Sequence, residues 1–182
     1  MIEIELFTMD DGITDISLVE FPAIESNWLC FSKNDKPSFK LSADERHIIT
    51  GAVLIPDKRI YRNDINGEYD IYFSKDTIRS IAEKFLMNFK NKSFTLEHQD
   101  NTNDVTLIES WIKEFSADKS EGLGFDLPVG TWFISAKINS ESLWERIKMG
   151  EFNGFSVAGY FSSNSPEEAI LKEAEDFLND IK

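Results

Sequence analysis

Three residues stand out for the chemistry that their types and settings could support. The chain has two histidines in 182 residues. His98 closes the run Phe94-Thr95-Leu96-Glu97-His98 and opens a polar loop. A strand end is where a rigid scaffold presents a reactive side chain, and a neutral imidazole is the usual general base near neutral pH. From position alone, a polar residue that merely closes a strand is the plainer reading. His47 sits beside Glu45 and Arg46 and reads as a solvated surface residue. Ser156 lies in Gly154-Phe155-Ser156-Val157-Ala158-Gly159-Tyr160. At period two it shares a face with Gly154 and Ala158, and such small neighbours leave room for another backbone to approach. A core serine bonded to the backbone is the plain alternative. The spacing is not that of the GxSxG nucleophile elbow, since the second glycine falls one residue too far along. A serine nucleophile needs a base within hydrogen-bond reach, so a distant residue would have to converge on it.

The third is Glu109, in Val105-Thr106-Leu107-Ile108-Glu109-Ser110-Trp111-Ile112. Strict alternation places it with Val105, Leu107 and Trp111 on an apolar face. A carboxylate there is costly unless paired or hydrogen-bonded. It could orient a histidine and support the imidazolium, or it could form an ion pair with a lysine or arginine.

The elements that must position these residues follow from local patterning. Residues 2–7 alternate apolar and charged positions as a half-buried strand does. Residues 18–25 are extended and interrupted by Pro22, and residues 34–45 are polar and loop-like. Strands are predicted over 47–55, 69–73, 93–98, 105–115, 131–138 and 154–161. A helix follows Ser74, with Asp76 at its positive end and a stripe of Ile78, Ile81, Phe85 and Phe89. A shorter one covers 141–149 and ends at Gly150. The loop 116–130 carries three glycines and Pro128. A capping box at Ser165-Pro166-Glu167-Glu168 opens a last helix with an apolar face of Ile170, Ala174, Phe177, Leu178 and Ile181. Strands outnumber helices and are joined by turns rather than crossover helices. The expected class is therefore α+β, a mostly antiparallel β-barrel surrounded by helices. The expected organisation is an N-terminal strand and extended arm over 1–45, a barrel domain over 46–162 and a C-terminal amphipathic helix over 163–182.

Composition narrows the function. With 19 basic and 33 acidic residues the net charge is −14. That balance argues against a nucleic-acid partner, whose phosphates are neutralised by Lys and Arg. No apolar run approaches the ~20 residues of a spanning helix, so no membrane partner is expected. The start of the chain lacks the pattern of a signal peptide, which predicts an intracellular protein. The single Cys30 excludes an intrachain disulfide, a CxxC centre and a cysteine-based zinc site, and it reads as a buried, inert residue. His98-Gln99-Asp100 has no second histidine at metal-site spacing, and nothing indicates a cofactor.

Six segments in one order carry a resemblance: 51–62 (GAVLIPDKRIYR), 72–78 (YFSKDTI), 95–99 (TLEHQ), 107–112 (LIESWI), 128–132 (PVGTW) and 154–161 (GFSVAGYF). Together with 16–25 (ISLVEFPAIE), this chain resembles the XkdF-like phage serine proteases, relatives of the prohead, or capsid maturation, proteases. The resemblance implies a herpesvirus-assemblin-like barrel. It also implies an endopeptidase that cuts scaffold and capsid-protein segments inside the immature head, in the host cytoplasm. His98 matches the catalytic histidine and Ser156 the catalytic serine. Assemblin-type enzymes use a second histidine after the serine, and none follows Ser156 here. The third member is then a carboxylate or missing, with Glu109 expected first and Asp100 and Glu97 behind it. Dimerisation through helices in such enzymes implies a homodimer. The alternative is an inert structural or scaffold-associated head protein that keeps the fold.

Overall fold

The computed structural model describes residues 2–6, 8, 10–22, 29–30, 46–64 and 67–161, with the backbone alone at 29–30 and 62–64. In chain order the elements are β1 (Ile2–Ile4), β2 (Gly12–Val19), β3 (Leu29–Cys30), β4 (Ile48–Leu54), β5 (Ile60–Asp64), β6 (Gly67–Phe73) and α1 (Lys75–Met87). Then come β7 (Phe94–Leu96), β8 (Asp100–Thr102), β9 (Val105–Ile112), α2 (Lys119–Gly122), β10 (Trp132–Ile138), α3 (Glu141–Lys148) and β11 (Gly154–Tyr160). The expectations for the Cys30 side chain and the 163–182 helix fall outside the described residues.

The strands form three sheets, ordered β1-β6-β5, β3-β4-β10-β9 and β11-β2-β7-β8. This corrects the expected barrel surrounded by helices. Among the described residues no sheet closes on itself, and the three helices have only 13, 4 and 8 residues. Closure needs a continuous, staggered ladder in which every strand is paired on both edges. Here β7 and β8 have three residues each, too few to carry such a ladder onward, and each sheet ends in two outer strands. Two pairings, β1 with β6 and β2 with β7, are parallel, which patterning by hairpins did not foresee. The segment read as an arm supplies β2, an interior strand whose Ile16 and Leu18 are wholly buried.

One apolar cluster draws on all three sheets, with Leu18, Phe94 and Phe155 from one, Ile49, Trp132 and Phe133 from the second, and Ile71 and Phe73 from the third. Helix α1 covers it through Ile78, Ile81 and Phe85, and the Phe85 ring meets Trp132 edge-on at 5.7 Å. Ser74 caps α1 by accepting the N–H of Thr77, as its position before Lys75 and Asp76 predicts. Phe89 does not join the stripe. It lies past the helix end at φ 56° and points to solvent. Helix α3 matches its predicted span, with Ser140 as N-cap and Gly150 at φ 80° beyond its last turn. His47 is not a free surface residue: its ring stacks on the buried Trp144 at 4.9 Å, with the Glu141 carboxylate at 3.7 Å.

Candidate active site

Ser156 enters the site through its strand. In β11, Ser156 lies opposite Ser17 of β2, while Phe155 faces Leu18 and Val157 faces Ile16. Leu18, Ile16 and Phe155 are buried in the core, so alternation turns Ser156 to the other face, where it is partly exposed. Ser17 in turn lies beside Thr95 of β7. Three hydroxyl residues, Ser156, Ser17 and Thr95, thus form a row across three strands. A bulge between Ala158 and Gly159 brings the two backbones together. A Cβ on Gly159 would stand 2.5 Å from the carbonyl oxygen of Gly12, so only glycine fits there.

His98 reaches the site through a turn rather than from the end of a strand. β7 stops at Leu96, and Glu97 and His98 both have positive φ, 49° and 57°. Gln99 N–H donates to the Leu96 carbonyl at 3.0 Å, closing the turn. Positive φ at both central residues is the mark of a type I′ hairpin turn. Non-glycine residues in this region cost about 1–2 kcal/mol each, and such strain persists where surrounding contacts over-determine it. Glu97 N–H donates to the Leu18 carbonyl at 3.0 Å, and its carboxylate accepts from Glu20 N–H at 2.6 Å. His98 N–H donates to Ser17 Oγ at 2.8 Å, and that hydroxyl approaches the Thr95 carbonyl at 3.3 Å.

Ser17 is therefore the residue that sequence reasoning missed. It is wholly buried, opposite Ser156, and bonded to the backbone of His98. Its own signal is faint: a serine at alternate spacing between Ile16 and Leu18 in a β-rich run.

His98 and Ser156 line one cavity of about 560 Å³ together with Phe21, Ile71, Phe73 and Phe161. Neither Glu109 nor the two other candidate carboxylates is among the lining residues. Asp100 and Glu97 line a second, smaller cavity of about 300 Å³ on the other flank of the turn, with Glu20, Arg146 and Glu151. Glu109 belongs to another sheet. A bulge at Ile108 sets Leu107 opposite Ala136 but Glu109 opposite Ser135, so Glu109 and Leu107 face opposite sides. The expectation of a carboxylate on the apolar face with Leu107 is corrected accordingly. The Glu109 side chain is 43% exposed, pairs with Lys119 Nζ and accepts from Ser135 Oγ at 3.0 Å. Ser135 Oγ lies 2.9 Å from Thr50 Oγ1, and Lys119 Nζ sits 4.6 Å above the Trp111 ring.

The start of β11 is held by its own contacts. Arg146 grips Glu151 through Nε at 2.8 Å and Nη2 at 2.5 Å and lies over the Phe152 ring. The hydrogen bond from Arg146 holds the Glu151 carboxyl below its ordinary range and raises the guanidinium in turn. Asn153 N–H donates to the Val19 carbonyl at 2.8 Å, fixing the register that places Ser156 against Ser17. Among the described residues no group of three or more His, Cys, Asp or Glu side chains is arranged to hold a metal ion. No described helix is long and apolar enough to cross a membrane.

A β-rich fold with a serine and a histidine in one cavity has the parts that serine hydrolysis draws on. Comparison with known proteins agrees at the level of family. Residues 37–164 match the family described as "Putative phage serine protease XkdF", and the chain belongs to that family. The chain is also 26% identical over 168 residues to YqbD, an uncharacterized protein of Bacillus subtilis strain 168. That alignment covers 88% of this chain and 48% of the relative, so the chain spans about half the length of the protein it matches. No solved structure matches the chain.

Proposed function

We propose that the chain is a serine endopeptidase of phage head maturation, with Ser156 as nucleophile and His98 as general base. One observation supports this most: two residues far apart in sequence, each of a type that acylation needs, line the same cavity. In the reaction, His98 takes the Ser156 proton as Oγ attacks the scissile carbonyl. It then returns that proton to the leaving amine, and water repeats the cycle to release the acyl group. Backbone N–H groups stabilise the oxyanion that forms in both steps. The turn carrying His98 is fixed by hydrogen bonds to β2, and Ser156 pairs with β2 from the other side. A single strand thereby holds the backbone of both residues, which supports reading them as a pre-organised pair.

The substrates proposed are segments of scaffold and capsid proteins. The test is co-expression of the chain with the neighbouring capsid and scaffold proteins, wild type against Ser156→Ala, read by intact mass. Processing in the wild type that vanishes in the variant is the expected result. If no cleavage occurs even in assembled proheads, the reading falls and an inert head protein that keeps the fold takes its place.

A further inference from the structure

The shape of the cavity beside Ser156 carries a statement about substrate that the family assignment does not. Four consecutive residues, Ser156, Val157, Ala158 and Gly159, line it. Successive side chains of a strand point to opposite faces, so a cavity lying over one face meets every second residue. An unbroken run is the contact that a cavity following the edge of the strand would make. β11 is an outer strand of its sheet among the described residues, with β2 on its other side. The far wall is apolar, made by Ile71 and Phe73 of β6 and by Phe161, whose ring meets Phe73 edge-on at 5.4 Å. Phe21 stands at the rim with 82% of its surface exposed.

We propose that the polypeptide substrate adds to the outer edge of β11 as an extended strand and seats a large apolar side chain, aromatic or leucine-like, between Ile71, Phe73 and Phe161. This rests on the reading of Ser156 as the nucleophile and names the substrate class for it. Strand addition draws affinity from main-chain hydrogen bonds and specificity from pockets for alternate side chains. Ala158, small and half-buried, leaves room for an approaching backbone. A volume of about 560 Å³ exceeds the need of one side chain and falls in the range of ligand pockets.

Binding can be read without cleavage, on the full chain carrying Ser156→Ala and labelled with ¹⁵N. The probes are sets of acetylated, amidated nonapeptides with a fixed central Phe, Leu, Ala or Lys and equal mixtures elsewhere. The Phe and Leu sets are expected to bind at least about ten-fold more tightly than the Ala and Lys sets. They should also slow amide exchange within residues 156–160. Methylating the backbone nitrogens of the Phe set should abolish binding, and Ala158→Trp, checked for an unchanged unfolding transition, should abolish the preference. Equal affinity across the sets, no binding by any set, unchanged exchange within residues 156–160, or indifference to either change would overturn the proposal. Selective binding together with absent processing would fail the protease reading alone. Processing together with unselective binding would fail this inference alone.

Discussion

At the scale of single residues, the site depends on groups that never enter the cavity. Ser17 Oγ satisfies the N–H of His98 at a turn that two positive φ angles make costly. Ser17→Ala leaves that donor without its partner, at a cost of about 1–3 kcal/mol. The expected outcome is a lower urea midpoint together with a fall in processing rate larger than the unfolded fraction explains, because the backbone that carries His98 loses an anchor. A midpoint shift with full processing would reduce Ser17 to a structural hydroxyl. The two candidates that share the cavity, His98 and Ser156, were legible from type and setting. Ser17 was not, because what distinguishes it is its position opposite Ser156, a long-range register that no local window contains.

At the scale of elements, bulges decide which face a residue occupies. Strict alternation put Glu109 with Leu107, and one extra residue at Ile108 reversed that. Glu109 therefore meets Lys119 and Ser135 on a half-exposed face. Exposed pairs of this kind are worth at most about 1 kcal/mol. Glu109→Gln should lower stability by no more than that and leave processing intact, whereas loss of processing at unchanged stability would make Glu109 the third catalytic member. The segment before β11 carries a pH signature of its own. Arg146 depresses the Glu151 carboxyl, so its stabilisation is present above the carboxyl's unfolded value and is lost as pH falls through the lower folded value. The urea midpoints of wild type and Glu151→Gln should differ at pH 7 and converge towards the acid end of a pH series. The gap should also narrow with salt, since the pair is solvent-exposed. Helix α1 was legible from its cap and apolar stripe and helix α3 from Gly150 at its end, because each signal lies within a short stretch of chain. The loop 116–130 hid α2, whose single turn is capped by Asp118 accepting from Ser120 N–H at 2.6 Å.

At the scale of the whole molecule, three sheets, none closed among the described residues, share one core. Phe133 is wholly buried on β10, stacked on Trp111 at 5.2 Å and tilted against Phe125 at 5.2 Å. It couples β9, β10 and the segment after α2. Phe133→Ala should cost about 3–5 kcal/mol. Because the apolar cluster joins the sheets, the transition should move as a unit, with far-UV and tryptophan signals shifting together. Separate transitions would show that the sheets unfold independently.

The residues themselves determined the chemistry on offer and most of the strands and helices, since side-chain type, capping and periodicity are properties of a short stretch of chain. They also carried the family resemblance, through motifs spread in one order along the chain. Tertiary structure alone decided the rest. Parallel pairing of β2 with β7, the placement of His98 in a strained turn and the shared cavity with Ser156 all arise from contacts between distant segments. Whether strands close into a barrel depends on ladder length and stagger across several strands at once. Which side Glu109 faces depends on Ile108, left unpaired in the register of β9 against β10. Alternation along a strand is blind to both, because each is a relation between strands.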